Sequence, residues 1–499
     1  YETDFKDRAY KISSALVLAL FFVISFSIFT AINSRPAWLN QKTSYPFNPQ
    51  DKIEDPYLLV FDAFKKGQTH LDIKPDEKLL NLKNPYNPDD RIGAAYYLDY
   101  VLYKSKYYSY YGIAPLFIAY YPSYYLSGNL PSMNFAGFIL GALAVLALFF
   151  AYKSFVKTFL KRTNLVLFIL SFQALVCGSL LFVLQADSYR YEFPILSMYI
   201  FFALFIAFSF AADGNINNKK FFIYLALAGF SFASILATRP HCIILAFAFI
   251  IPLYLQNMFD KNISANVKIK GAVSFFVPFL IICSLVMLHN YARFDSPFSF
   301  GQNYNLTGTN AAVSTSQKLS LSNFSAGIFQ YFLDVPEFLA HFPFIDPLKH
   351  SYNLTGSVFA VGANSRNMGI LAFPLFWTLF IGFKNFKTQK QNKLFKSILI
   401  STICASIFIA FIGFVCGYPG FRYTCDIRPA LAVLSAFIML ACAADFTQDS
   451  SSKILYRFFA LSCIATIIFG FFMIFNGEMQ WIYKINPEIY AKWFNLFSF

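Results

Sequence analysis

The stretch GIAPLFIAYYPSYYLS, residues 112–127, decides how this chain is threaded. Its length and apolarity suit a membrane crossing, but its composition does not. Pro115 and Pro122 each remove a helical hydrogen bond, and Tyr120, Tyr121, Tyr124 and Tyr125 are side chains that favour the membrane–water boundary. We read 112–127 as a re-entrant or interfacial segment that does not cross. If it did cross, every loop after it would change sides.

The charges agree with that reading. With a cytoplasmic N-terminus carrying Lys6, Arg8 and Lys11, the basic short loops all fall on the same side. They hold Lys153, Lys157, Lys161 and Arg162; Lys219 and Lys220; Lys261, Lys268 and Lys270; Lys384, Lys387, Lys390, Lys393 and Lys396; and Lys453 and Arg457. This is the asymmetry of a multi-pass protein of the cytoplasmic (inner) membrane, whose cytoplasmic loops collect Lys and Arg.

The apolar runs lie at 12–32, 133–152, 164–184, 194–212, 220–237, 241–258, 271–289, 368–383, 397–415, 429–445 and 455–475. Each approaches the ~20 residues needed to span a bilayer core of about 30 Å. The expectation is an all-α polytopic membrane protein with about 11 transmembrane helices, a single domain over 1–499. Two long segments, 33–111 and 290–367, then lie on the non-cytoplasmic side. The stretch 477–499 lies there too, and its Trp481, Tyr483, Tyr490, Trp493 and Phe494 suit the interface. The first run is too long for the apolar core of a signal peptide and lacks a cleavage site, so it reads as a retained helix.

Composition narrows the function classes. Only 13% of residues are charged and 57% are hydrophobic, against about 25% charged in a soluble domain. The net charge of +14 is explained by the basic loops, and no nucleic-acid motif accompanies it. Most of the eight cysteines lie in apolar runs, and none has zinc spacing. Cys416 and Cys425 flank one outer loop, where a disulfide is an option whose geometry the sequence leaves open.

Charges are almost absent from the helix centres, which argues against a proton relay, a voltage sensor or a midplane transport site. Polar groups gather at the outer helix ends instead. One outer loop reads QADSYRYEF, with Asp187, Arg190 and Glu192; a very short one holds Arg239, Pro240 and His241; Asn290, Arg293 and Asp295 follow the seventh run; and CGYPGFRYTCDIRP brings Arg422, Asp426 and Arg428. Arginines beside carboxylates at one boundary suit an anionic phosphate, or they pair among themselves.

The first outer loop contributes KIEDPYLLVFDAFKKGQTHLD, with Glu54, Asp55 and Asp62. Its apolar positions fit a helix lying on the membrane. Further on come Asp99, Lys104, Lys106, Tyr107, Tyr108, Tyr110 and Tyr111. Tyrosines beside a carboxylate suit a sugar-binding surface and a membrane belt equally well.

The stretches YLLVFDAFKKGQTHLD, NPYNPDD, LDYVLYKSKYYSYYGIAP, ATRPH, NYARFDSPFSFGQNYNLTG and FRYTCDIRP, in that order between residues 57 and 429, resemble the GT-C glycosyltransferase fold. More closely they resemble a widespread group of bacterial GT-C-like membrane proteins of poorly defined function. The resemblance implies a bundle whose large first outer loop carries juxtamembrane helices. It implies an inverting, cell-envelope glycosyltransferase acting on the outer face.

On that resemblance the donor is a sugar on a polyprenyl phosphate or pyrophosphate, the acceptor a glycan, lipid or protein, and membrane lipid a partner. A carboxylate of the first outer loop acts as base: Asp55 first, with Glu54, Asp62 and Asp99 as the other candidates. Arg239 chiefly holds the lipid phosphate. Substrate binding extends to His241, Arg190, Asp187, Arg293, Arg422, Asp426, Lys106, Tyr108 and Tyr111. No cofactor is implied, although a carboxylate cluster can take a divalent cation.

Two rivals stand beside this reading. A transporter or flippase of lipid-linked glycans needs a polar route through the bilayer, and the cytoplasmic halves of the helices offer little of one. A polymerase or ligase of such glycans usually keeps its key loop late in the chain, whereas here the motif-rich loop comes first.

Overall fold

The structure, a computed structural model, describes residues 2–3, 7–32, 43–45, 55–160, 163–216, 218–308, 327–347, 368–385, 392–416, 421–444, 446, 449–476 and 481–497. It is an all-helical membrane bundle with small hairpins on its loops. Eight of the described helices are long and apolar enough to span: Arg8–Ile32, Met133–Phe159, Glu192–Asp213, Lys220–Ala237, Pro240–Phe259, Ala265–Phe294, Lys393–Phe411 and Ser450–Phe475. In lipid a backbone must satisfy its own hydrogen bonds, and an uninterrupted helix does so.

Three of the expected apolar runs take other forms. Arg428–Ala443 is a helix of 16 residues, shorter than a full span. The run 368–383 is broken into the 3-10 turns Ile370–Ala372 and Pro374–Trp377 before the helix Thr378–Asn385. Pro374 supplies the break, because it cannot donate to the preceding turn. The run 164–184 is also split. Leu165–Gly178 ends, Leu180 takes a left-handed φ of 58°, and Leu181–Ala186 resumes.

The carbonyls freed at that break are met by polar side chains. Arg428, fully buried, donates from Nη1 to Gly178 O at 3.4 Å, from Nε to Thr424 Oγ1 at 3.1 Å and from Nη2 to Met368 O. Tyr199 Oη donates to Ser179 O at 2.7 Å. The break thus sets residues 178–179 against the N-terminus of the Arg428–Ala443 helix, and the loop 187–191 follows one short helix later.

The helix Glu192–Asp213 is the hub, with 78% of its apolar window buried. It packs on Met133–Phe159 and on Lys220–Ser234. The last of these packs in turn on Ala265–Phe294, where Gly229 permits the contact: a Cβ there would meet Phe275 O at 2.0 Å. The helix Lys220–Ser234 and its successor Ile243–Phe259 touch little beyond the turn that joins them, since the successor packs mainly on Asn392–Cys416.

The loop after the helix Arg8–Ile32 holds the helix Pro56–Lys65 and a β-hairpin. Strand Tyr100–Tyr103 pairs antiparallel with Lys106–Ser109. Lys104 and Ser105 at its tip both have positive φ, the conformation of a two-residue type I′ turn. The hairpin is fastened to the end of the helix Ala265–Phe294 and the segment that follows it. Asp99 N donates to Leu306 O at 3.0 Å, Leu306 N to Tyr100 O at 2.9 Å, and Arg293 Nη1 to Ser109 O at 3.0 Å.

The segment after the hairpin is helical only from Leu116 to Ser127, first with π and then with α geometry. That is ~18 Å of helix at 1.5 Å per residue. At the other end of the chain, Pro487–Phe497 lays Trp493 on Phe471 and Phe475, with centroids 5.5 and 5.6 Å away.

Candidate functional site

Asp55 is built into the start of its helix. It is the N-cap of Pro56–Lys65, and Oδ1 accepts from Tyr57 N at 2.8 Å, the usual use of an Asp before Pro at a helix start. Its Oδ2 accepts from Tyr120 Oη at 2.7 Å. Burial pushes its carboxyl up to about 6, against the lowering effect of these hydrogen bonds. Asp55 is therefore a buried strut between the first outer helix and the 116–127 segment. Asp62 is paired with Lys66 at 2.7 Å, and Lys66 also reaches Asp72 at 2.7 Å. Glu54 lies outside the described residues.

Gly112 joins this strut to the second centre. Its carbonyl accepts from Tyr57 Oη at 3.3 Å, and a Cβ on it would meet Thr238 O at 2.2 Å. No side chain fits there, so the outer loop lies directly on the turn Thr238–His241.

That turn carries the tightest charge cluster. Arg239 Nε lies 2.5 Å from Asp426 Oδ1, and Nη2 donates to Oδ2 at 2.6 Å. His241 Nε2 is 2.8 Å from the same Oδ2. Asp426 is only 2% exposed. Burial alone would raise its carboxyl, but Arg239 and His241 hold it below the ordinary range. Arg239 also stands over the Tyr423 ring at 5.8 Å. Two of the three guanidinium nitrogens of Arg239, Nε and Nη2, are thus engaged with Asp426.

The donor atoms of His241, Cys242 and Asp426 lie within 4.8 Å of one another. A nitrogen, a sulfur and a carboxylate oxygen are zinc-type donors. A dication between them would, however, face the Arg239 guanidinium across the same carboxylate. The set suits an ion-paired cluster better than a metal centre.

The third centre surrounds Tyr191. Its hydroxyl donates to Asp99 Oδ2, and Arg190 Nη2 donates to it at 3.3 Å. Burial first, and Asp99 second, push the Tyr191 phenol up to about 12, so it stays a donor. Arg190 lies among the rings of Tyr189, Tyr191 and Tyr111, at 5.1, 5.1 and 6.0 Å. Arg422 stacks on Tyr191 at 4.0 Å. A single tyrosine thus separates the Asp99 carboxylate from two guanidinium groups. Asp99 itself has a φ of 61°, a left-handed conformation that Asp tolerates better than most residues.

No protein-family model and no curated protein matches this chain. Among solved structures it is similar to the apo crystal structure of the oligosaccharyltransferase of Archaeoglobus fulgidus. The two share 14% identity with a TM-score of 0.49, over 96% of this chain and 59% of that one. This chain therefore spans well under two thirds of that enzyme's length.

The remaining sequence candidates are placed as follows. Asp187 is buried at the end of Leu181–Ala186. Arg293 is buried and holds Ser109 O and Asn290 Oδ1. Lys106 is exposed on the hairpin, and Tyr108 packs on Phe294 at 5.5 Å. Tyr111 is buried beneath Arg190. Cys425 is a free thiol, and the Cys416 side chain lies outside the described residues.

Sequence reasoning passed over Tyr191 and Tyr120, the two phenols that hold the carboxylates. The signal was present for the first, in SYRYEF, where tyrosines flank an arginine. It also passed over Arg91, which is 1% exposed, stacks on Tyr96 at 4.3 Å and donates to Thr307 O.

Proposed function

We propose that this protein is an inverting glycosyltransferase of GT-C type. It takes a sugar from a polyprenyl-phosphate carrier on the outer side of the cytoplasmic membrane. The observation that carries the reading is the meeting of Asp99, Arg190 and Arg422 around Tyr191. Transfer from a lipid phosphate needs a base for the acceptor hydroxyl and cations for the phosphate that departs. The residue types on either side of Tyr191 match those two needs.

In this reading Asp99 takes the proton of the acceptor hydroxyl, displacing the Tyr191 hydrogen bond. The acceptor oxygen bonds to the anomeric carbon, the bond from that carbon to the phosphate oxygen breaks, and the electron pair leaves with the phosphate. Arg190 and Arg422 receive the charge. In this reading the isoprenoid tail lies along the exposed apolar side chains of Lys220–Ser234 and Ile243–Phe259 next to the Thr238–His241 turn, Phe230, Ile244 and Phe247. Asp99 is favoured over Asp55 because Asp55 is buried and spent on a helix cap and a tyrosine.

The test is transfer of labelled sugar from synthetic isoprenoid-phosphate sugars by the purified protein. Asp99→Asn is expected to lose about 10²–10⁴-fold in kcat. Arg190→Ala is expected to lose a similar factor, through stabilisation of the leaving group. Full activity in both variants would remove this site from consideration.

A further inference from the structure

We infer that His241 is a further catalytic residue, which donates a proton to the departing phosphate, while Asp426 and Arg239 are positioning residues that hold it ready. The inference rests on the glycosyl-transfer reading above and adds to it.

The argument begins with the hydrogen bond. An ionised carboxylate only accepts, so the His241 nitrogen 2.8 Å from Asp426 Oδ2 must carry a proton. That fixes Nε2 as the protonated nitrogen and leaves Nδ1 as the variable one. Among the described residues the imidazole makes no other hydrogen bond, and its side chain is 31% exposed where Asp426 is 2% exposed. One edge of the ring is thus anchored in a buried salt bridge and the other is open.

Charge points the same way. Arg239 and Asp426 neutralise each other, so the cluster as it stands attracts an anion weakly. Protonation of Nδ1 gives it one net positive charge, on the exposed member. A phosphate bound there lies beside that charge, and opposite charges at short range attract. Arg239, half-buried and forked onto Asp426, is engaged with that carboxylate, and it prevents Asp426 from taking the imidazole proton.

Placement decides between acid and base. Arg239 stands over Tyr423, whose chain neighbour Arg422 stacks on Tyr191. Asp99 binds the hydroxyl end of that same ring. His241 thus stands in the cluster joined through Tyr423 to Arg422, an arginine that the proposal gives to the phosphate, while Asp99 and Arg190 share the Tyr191 hydroxyl. The imidazole meets Asp426, from the loop before Arg428–Ala443, and Cys242 of its own turn, and the charged and titratable groups gathered around that pair are Arg239, Tyr423 from Phe421–Thr424 and buried Tyr331.

In the step, the bond between the anomeric carbon and the phosphate oxygen breaks and its electrons go to that oxygen. The imidazolium Nδ1 gives its proton to the phosphate. The acceptor's proton goes to Asp99, so one proton is taken and one delivered.

The experiment compares wild type, His241→Ala and His241→Gln in the isoprenoid-phosphate sugar transfer assay, with and without added imidazole. Both variants are expected to lose about 10²–10⁴-fold in kcat with a much smaller change in KM. Imidazole is expected to restore part of the His241→Ala rate, more below neutrality than above it, because the imidazolium is the donor. His241→Gln fills the space and is not restored. A variant with full activity overturns the inference and leaves the glycosyl-transfer reading standing. Loss without imidazole rescue, or rescue that grows above neutrality, also overturns it. Absence of transfer by wild type overturns the glycosyl-transfer reading, and the role of His241 falls with it.

Discussion

At the scale of single residues, the site is built from carboxylates put to different uses by their surroundings. Asp426 is buried and anionic because two cations share it. Asp62 is tied to a lysine near the surface. Asp55 is buried with a phenol and a peptide N–H, and its carboxyl is pushed up to about 6 from 3.8. A carboxyl raised in the folded state favours folding below its unfolded value and loses that advantage as pH rises through the folded one. Full ionisation of Asp55 therefore costs ~3 kcal/mol, an order-of-magnitude figure. Asn caps a helix about as well as Asp. The apparent melting temperature of wild type in detergent should fall as pH rises from about 4 to about 6. Asp55→Asn should show a smaller fall, and an equal or larger one would exclude burial as the dominant influence on this group. None of this was legible in KIEDPYLLVFD, where Asp55 and Asp62 look alike. Burial separates them, and burial depends on Tyr120, 65 residues away.

At the scale of elements, long helices announce themselves because each apolar run carries its own signal. Breaks inside runs do not. Leu180 is an aliphatic residue in a left-handed conformation, and nothing local marks it. Its cause is distant: the guanidinium of Arg428 takes the Gly178 carbonyl from 250 residues away. Arg428→Leu removes that donor and leaves the carbonyls of Gly178 and Met368 buried without it. Each unmet buried polar group costs about 1–3 kcal/mol. The variant should have a clearly lower melting temperature, and it should lose transfer activity as well, because the 187–191 loop follows the break. An unchanged melting temperature would mean that the break is held by other contacts. The hairpin at Tyr100–Ser109 escaped the sequence reading for a similar reason. Its turn uses Lys104 and Ser105 where Asn-Gly is the usual mark.

At the scale of the whole molecule, the arginine-rich outer ends were visible in the sequence as separate groups, but their partners were not. Arg239 and Asp426 are 187 residues apart, and Tyr191 and Asp99 are 92 apart. The sequence reading therefore gave Arg239 a lipid phosphate to hold and could not show that Asp426 is its ion-pair partner. What ties the three centres together is contiguity at one end of the bundle. Asp55 leads through Tyr57 and Gly112 to Thr238, and Arg239 leads through Tyr423 to Arg422 and Tyr191. A polyprenyl-linked donor presented on the outer leaflet reaches this end only if it faces away from the cytosol. The direct measurement is labelling of single cysteines, on a cysteine-free background, with a membrane-impermeant thiol reagent in intact cells. Lys106→Cys and Lys219→Cys are both at exposed positions. The account predicts that Cys at 106 is labelled in intact cells and that Cys at 219 is labelled only after the membrane is opened. The reverse pattern would contradict it.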